Sequence, residues 1–255
     1  MQDRAVAVIP ARLHSTRLPR KVLLDIAGKP MLRHVYDRTR SARSIRRVLV
    51  ATDSTEVADP VREWGGEVVV TDPGLPSGTA RIASIVDSLD GEIIVNVQGD
   101  QPLVEPTLID GLVRAFEGTG ADIVTPVFRV TRVSDLTDPG IAKVVRARDG
   151  RALYFSRSPI PYVRDVPMAE WPKRATFWAQ YGIYGFRRRV LVDFNASLPP
   201  SALEKAEKLE QLRFLEAGYA IHTFTTRFRQ VAVDTPEDLA RVRAILESRP
   251  KGEPD

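Results

Sequence analysis

Cysteine is absent from this 255-residue chain. That removes disulfides, thiolate zinc sites and thiol nucleophiles together, and leaves the compartment open. Histidine is scarce, with three copies, which disfavours an imidazole-rich metal centre. Long apolar runs are missing as well. The first, at 6–9, is too short for the core of a signal sequence, and no stretch approaches a membrane span. The expectation is a soluble cytoplasmic protein with no membrane partner. Nor is the charge one-sided: 37 Lys and Arg stand against 33 Asp and Glu. Basic runs such as Arg46-Arg47 and Arg187-Arg188-Arg189 are short, with few aromatics between them. No nucleic acid is expected as partner, and most of these arginines read as solvated surface. The mild basic excess suits anionic small molecules.

What is present is a 43% hydrophobic composition, enough for one sizeable core. Apolar strand patterns at 5–9, 47–52, 67–71, 92–97 and 121–126 alternate with helical patterns at 31–43, 55–64, 79–89 and 106–116. That rhythm, with strands rich in Val and Ile, predicts an α/β fold with a doubly wound, mainly parallel sheet covered on both faces. After about residue 127 the rhythm changes. Segments 127–131, 142–147 and 152–155 read as antiparallel strands, 159–176 as an irregular stretch, and 181–186 as a returning strand. A helix over 203–216 carries Leu203, Ala206, Leu209, Leu212 and Leu215 on one stripe and stops at Gly218. A strand at 221–225 and a capped helix at 235–247 complete a single domain, 1–247, with 153–186 as a small mixed excursion and 248–255 as a frayed tail.

Two strand ends carry chemistry. The first strand runs into Pro10-Ala11-Arg12-Leu13-His14-Ser15-Thr16-Arg17-Leu18-Pro19-Arg20-Lys21. Ligands of doubly wound sheets sit beyond the carboxyl ends of the strands. Four cations, two hydroxyls and free backbone N–H groups there suit phosphates. The loop is neither a P-loop nor a Rossmann fingerprint, and composition alone leaves a basic surface loop equally open. The central strand ends in Gln98-Gly99-Asp100-Gln101-Pro102. Mg2+ takes one or two carboxylates plus phosphate oxygens, so Asp100 is a natural anchor for a metal–nucleotide complex. Asp234, before Thr235-Pro236, reads more simply as the N-cap of the last helix.

Further segments fall in order around these two: Gly28-Lys29-Pro30-Met31, Ala51-Thr52-Asp53, Ser77-Gly78-Thr79, Tyr154-Phe155-Ser156-Arg157, Gly182-Ile183-Tyr184-Gly185, Glu207-Lys208-Leu209-Glu210-Gln211-Leu212-Arg213 and Val233-Asp234-Thr235-Pro236. Over nearly the whole chain this set resembles the 3-deoxy-manno-octulosonate cytidylyltransferase family, with its glycosyltransferase-A-like sheet. The resemblance implies transfer of CMP from CTP to the anomeric hydroxyl of an anionic eight-carbon sugar acid, with Mg2+ as cofactor and pyrophosphate as leaving group. The conjugate would serve lipopolysaccharide or a related envelope glycan.

By the same resemblance, Arg12 and Lys21 hold the triphosphate, helped by Ala11, Ser15 and the loop backbone. Ser77, Gly78 and Thr79 face the cytosine, with Arg81 beside it. Asp100 and Asp234 bind Mg2+, and with Arg12 and Lys21 form the catalytic set. Gln98, Arg157, Gln180, Tyr184, Glu210 and Gln211 line the sugar-acid pocket, where the planar Arg157 guanidinium grips the substrate carboxylate. A homodimer through 153–186 is implied too, and Trp171, Phe177, Trp178 and Tyr181 suggest a contact surface there.

The chain departs from the pattern at Ala80, Gln101 and Gln180, where the family carries an acid, a glutamate and a histidine. Those positions bear on substrate detail and keep an 8-amino analogue of the octulosonate as an alternative. A sugar-nucleotide glycosyltransferase would carry an Asp-x-Asp motif where Gln98-Gly99-Asp100 stands. A catalytically dead nucleotide-binding protein is disfavoured by the retained Arg12, Lys21, Asp100 and Asp234.

Overall fold

Seven consecutive apolar or small residues, Ala5–Ala11, form strand β1 and are buried without exception. Ala5, Ala7, Ile9 and Ala11 pack into one core cluster, Val6 and Val8 into another on the opposite face. A strand buried on both sides needs cover on both sides, which is why its sequence is continuous rather than alternating. Burial of each Val or Ile contributes about 1.5–3 kcal/mol.

The computed structural model describes residues 5–15 and 17–248. Strands β2 (Asp25–Ile26) and β3 (Lys29–Pro30) form a separate hairpin. The others are β4 (Ile45–Thr52), β5 (Glu67–Val70), β6 (Ile93–Asn96), β7 (Ile123–Val130), β8 (Lys143–Arg146), β9 (Ala152–Ser156), β10 (Phe177–Gln180), β11 (Tyr184–Arg187) and β12 (Ile221–Thr225). The helices are α1 (Met31–Arg40), α2 (Thr55–Glu63), α3 (Gly78–Ala83), α4 (Pro106–Arg114), α5 (Val133–Thr137), α6 (Trp171–Arg174), α7 (Arg188–Ser197), α8 (Ala202–Glu207), α9 (Gln211–Glu216) and α10 (Pro236–Glu247).

The large sheet runs β5-β4-β1-β6-β11-β7-β10-β8-β9, with β12 paired to β7. Strands β5, β4, β1 and β6 are mutually parallel, as expected of the first half. Helices α1 and α4 cover one face through Leu32, Val35, Leu108 and Leu112. Helices α3, α7 and α9 cover the other through Ile82, Val190, Leu191, Leu212 and Phe214.

The second half corrects several expectations. Segments 121–126 and 127–131 are one strand, β7, whose first part pairs with β11 and β12 and whose second part pairs with β10. The strand expected at 181–186 begins only at Tyr184, as β11, and a separate strand, β10, precedes it; β10 pairs with β8 while β11 joins β6, and Tyr181–Ile183 jog between them. The helix over 79–89 stops at Ala83 and continues as a 3-10 turn, Val86–Ser88. The helix over 203–216 is broken at Lys208, which sits at φ 52°. Helix α7 was not anticipated.

The arginines at its start are half-buried at Arg187 and Arg188 and exposed at Arg189, and all three are tied to protein. Arg187 donates to the Ala121 carbonyl, Arg188 to that of Leu89, and Arg189 pairs with Asp122. The excursion aromatics also turn inward: Trp171 stacks on Phe177 with centroids 6.0 Å apart, and both are buried, as is Tyr181. Trp178 is half-buried beneath Arg146. Of the expected tail, residues 249–255 lie outside the described part, as does Thr16 of the basic loop.

Candidate active site

The parallel register sets β1 beside β6, so both carboxyl ends open into one crevice. Gly99 follows β6 there. A β-carbon on Gly99 would stand 3.0 Å from the Pro10 carbonyl oxygen and 3.7 Å from the Ala11 side chain, so a side chain there would push the two strand ends a few tenths of an ångström apart. Ala11 is buried in that contact.

The acids separated by 134 positions in sequence meet in this crevice. Lys21 Nζ donates to Asp100 Oδ2 at 2.7 Å and to Asp234 Oδ1 at 2.9 Å. The Val233 amide donates to the Asp100 carbonyl at 2.9 Å and holds the two loops together. Arg17 adds a 3.3 Å ion pair to Asp234. Burial pulls the Lys21 ammonium down, but the Asp100 and Asp234 carboxylates outweigh it and hold its pKa above the ordinary lysine value. Asp234 is not the cap of α10. Thr235 is, in a reciprocal box with Asp238, which leaves the Asp234 carboxylate for the crevice.

The basic loop is anchored by residues whose part the sequence did not reveal. Asp53, at the end of β4, accepts the Leu13 amide on one oxygen and Arg81 on the other, at 3.1 and 3.2 Å. Arg81 is fully buried, bonded also to Thr71, and its pKa is pushed down by burial. Its expected place beside a base is therefore corrected: it ties α3 to the loop. Arg12 is exposed, with Nη2 on the Leu75 carbonyl at 3.0 Å, and Ser15 is half-buried. Ser77 caps α3 by accepting the Ala80 amide at 3.0 Å. Gly78 lies against Pro10, and Gln98 donates to Asn96 at 2.8 Å.

Asn96 pairs in register with Tyr184, which brings the second pocket alongside the first. Tyr184 donates to Gln211 Oε1 at 3.1 Å, and Gln211 Nε2 donates to Gln180 Oε1 at 2.7 Å. Glu210 bonds to Ser77 and Thr79. Burial raises its pKa, and those two hydroxyls oppose the rise. Gln180 and Gln211 are buried and bonded to protein on both sides of the amide, so Gln180 supports the pocket rather than lining it openly.

Arg157 is also corrected. Its guanidinium donates to the carbonyls of Glu207, Pro139 and Lys208 at 2.6, 2.6 and 3.0 Å. The Glu207 and Lys208 carbonyls lie at the break between α8 and α9, a feature invisible in the apolar stripe, and with that of Pro139 they take the fork that a substrate carboxylate was expected to fill. Ser156 and the Arg157 amide grip Glu207 from the other side. Gln101 is buried, with Nε2 3.4 Å from the Gly182 carbonyl.

A parallel sheet with a cation-bearing loop at one strand end, paired carboxylates at the next and a polar pocket beyond them defines an α/β nucleotidyltransferase. The cytidylyltransferase family model matches residues 6–224. The 3-deoxy-manno-octulosonate cytidylyltransferase of Geobacter sulfurreducens is 45% identical over 92% of this chain and 96% of its own. That of Chloroherpeton thalassium is 43% identical over 97% and 100%. A solved structure of CMP:2-keto-3-deoxy-manno-octonic acid synthetase complexed with CTP is 39% identical, covers 96% of this chain and 98% of its own, and superposes with a TM-score of 0.89. A glucose-1-phosphate thymidylyltransferase structure from Bacillus anthracis, 18% identical with a TM-score of 0.67, shares the fold over 98% of each chain. The chain belongs to the 3-deoxy-manno-octulosonate cytidylyltransferase family.

Proposed function

We propose that the protein transfers the CMP moiety of CTP to the anomeric hydroxyl of 3-deoxy-manno-octulosonate. The observation that carries this reading is the convergence of Lys21, Asp100 and Asp234 at the β1 and β6 ends, next to Ser77–Thr79 and the Tyr184–Gln211 pocket. The anomeric oxygen attacks the α-phosphorus of CTP, the bond to the β-phosphate breaks, pyrophosphate leaves, and the hydroxyl proton passes to solvent. Positioning and charge neutralisation do most of the work in such a transfer. Arg12 and Lys21 neutralise the triphosphate, and the helix end at Ser77–Thr79 faces the base.

Asp100 and Asp234 fit Mg2+. They form a hard, oxygen-only pair already gathered round one cationic group, which matches an ion that takes one or two carboxylates and completes its shell with phosphate oxygens. Bound there, Mg2+ supplies charge neutralisation and Lewis-acid polarisation of phosphate oxygens.

Glu210 and Tyr184 present polar atoms to the sugar acid, and the buried Gln211 holds the Tyr184 hydroxyl in place. Arg157 has two N–H groups left beyond its three carbonyl bonds, so it serves the pocket chiefly by shaping its wall. We place the enzyme in the cytoplasm, where CTP is made available, and as a homodimer. Among the described residues no helix is long and apolar enough to cross a membrane.

The decisive assay is pyrophosphate release from CTP with the octulosonate, with its 8-amino analogue, and with neither, each in Mg2+ and in chelator. Release that needs both the octulosonate and Mg2+ is the expected result. A strong preference for the amino sugar would overturn the substrate and leave cytidylyl transfer standing.

A further inference from the structure

Three buried side chains and the half-buried Tyr184 form one hydrogen-bond chain. Thr125 Oγ1 lies 2.9 Å from the Ile183 carbonyl and 3.3 Å from that of Tyr181. Gln180 Nε2 lies 3.1 Å from Thr125 Oγ1. Gln211 Nε2 is 2.7 Å from Gln180 Oε1, and the Tyr184 hydroxyl is 3.1 Å from Gln211 Oε1. Thr125 is fully buried, and Gln180 and Gln211 are 7% and 3% exposed, so water does not offer these groups alternative partners.

The direction of the whole chain follows from its first link. A backbone carbonyl only accepts, so the single Thr125 proton goes to Ile183 or Tyr181. Thr125 must then accept from Gln180, which turns the Gln180 amide N–H2 toward Thr125 and its oxygen toward Gln211. That oxygen orients Gln211 the same way, and the Gln211 oxygen in turn takes the Tyr184 proton. Burial pushes the Tyr184 phenol well above its usual range, so the proton is retained.

We propose that Thr125 is a positioning residue for the sugar-acid pocket: it sets the direction of the Thr125–Gln180–Gln211–Tyr184 chain, so that Tyr184 meets its ligand as a hydrogen-bond acceptor. The ligand group this selects is a donor, a sugar hydroxyl. The proposal rests on the reading that this pocket takes the sugar acid. It also accounts for glutamine at position 180. A neutral histidine has one donor and one acceptor nitrogen, and either side chain transmits the same direction. A side chain with no polar group interrupts it.

The test is steady-state kinetics on five variants, with the melting temperature of each as a check on folding. Thr125→Val and Gln180→Leu should raise KM for the octulosonate about tenfold, the worth of one oriented hydrogen bond, and leave KM for CTP within about twofold. Thr125→Ser and Gln180→His should restore it. Gln180→Leu leaves strand β7 untouched and carries the test if Thr125→Val does not fold. Tyr184→Phe separates the two levels. If it leaves KM for the octulosonate at the parent value, the pocket assignment falls, and this proposal with it. If it raises that KM while folded Thr125→Val and Gln180→Leu do not, only the chain is refuted. Equal rises in both substrates' KM in the Thr125 and Gln180 variants would mark a merely structural role and also refute it.

Discussion

Asp100 and Asp234 share one ammonium in the free protein, so each acid has a partner that outlasts the loss of the other. Replacing either with alanine should therefore leave the chain folded and cut turnover by a hundredfold or more, the usual scale for one oriented electrostatic contact of about 3 kcal/mol. Pyrophosphate release measures it, and near-full turnover in Asp234→Ala would return that residue to a structural role. Glu210 carries a second test. Its folded pKa is raised by burial, so the folded state binds the proton more tightly than the unfolded chain and loses stability as pH rises through the interval between the two values. Glu210→Gln should raise the melting temperature at neutral pH, leave it nearly unchanged below about pH 4 where both forms are neutral, and lower activity. A variant no more stable than the parent at pH 7 would show that the carboxylate is not strained there. Residue identity was legible where chemistry is scarce: Asp100 stood out after a buried strand. The anchoring part of Arg81 and Asp53 was not legible, because nothing in their neighbours tells a loop anchor from a ligand contact.

The element that most shapes the pocket is the interruption between α8 and α9. Lys208 adopts a left-handed backbone that costs an ordinary side chain about 1–2 kcal/mol. Arg157 bonds the carbonyls of both Glu207 and Lys208 across that turn. Arg157→Ala should then lower stability by about 2 kcal/mol, roughly one well-placed charged hydrogen bond's worth after solvent exposure is allowed for. It should raise KM for the sugar acid more than KM for CTP, since Glu210 and Gln211 follow the break directly. Denaturant melts and the two KM values check this, and an unchanged melt would show that the three carbonyls are satisfied without the guanidinium. The apolar stripe of 203–216 predicts one helix, but only its second half is buried, Leu203 and Ala206 of α8 being exposed. Leu209 and Leu212 are buried whether or not the backbone between Glu207 and Gln211 is regular.

Across the whole molecule, β9 ends the sheet order, with Leu153 49% exposed on it. Tyr162 and Met168 of the following excursion are exposed as well. Exposed apolar side chains around the last strand of the order suit a contact surface. Light scattering at micromolar concentration should give twice the 28.4 kDa chain mass, and Leu153→Glu with Tyr162→Glu should reduce it to one. A monomeric parent would rule the dimer out. The doubly wound first half could be derived from the chain alone, because strands buried on both faces must be continuously apolar and the helices between them must show a 3.6-residue period. The basic loop and Asp100 could be placed at one end of the sheet from where such sheets bind ligands. The β10–β11 jog and the merging of two segments into β7 could not, and the meeting of Asp234 with Asp100 and Lys21 was available only through the family resemblance, not from periodicity. Each depends on pairing between distant segments, and periodicity records which face of a strand is buried, not which partner buries it.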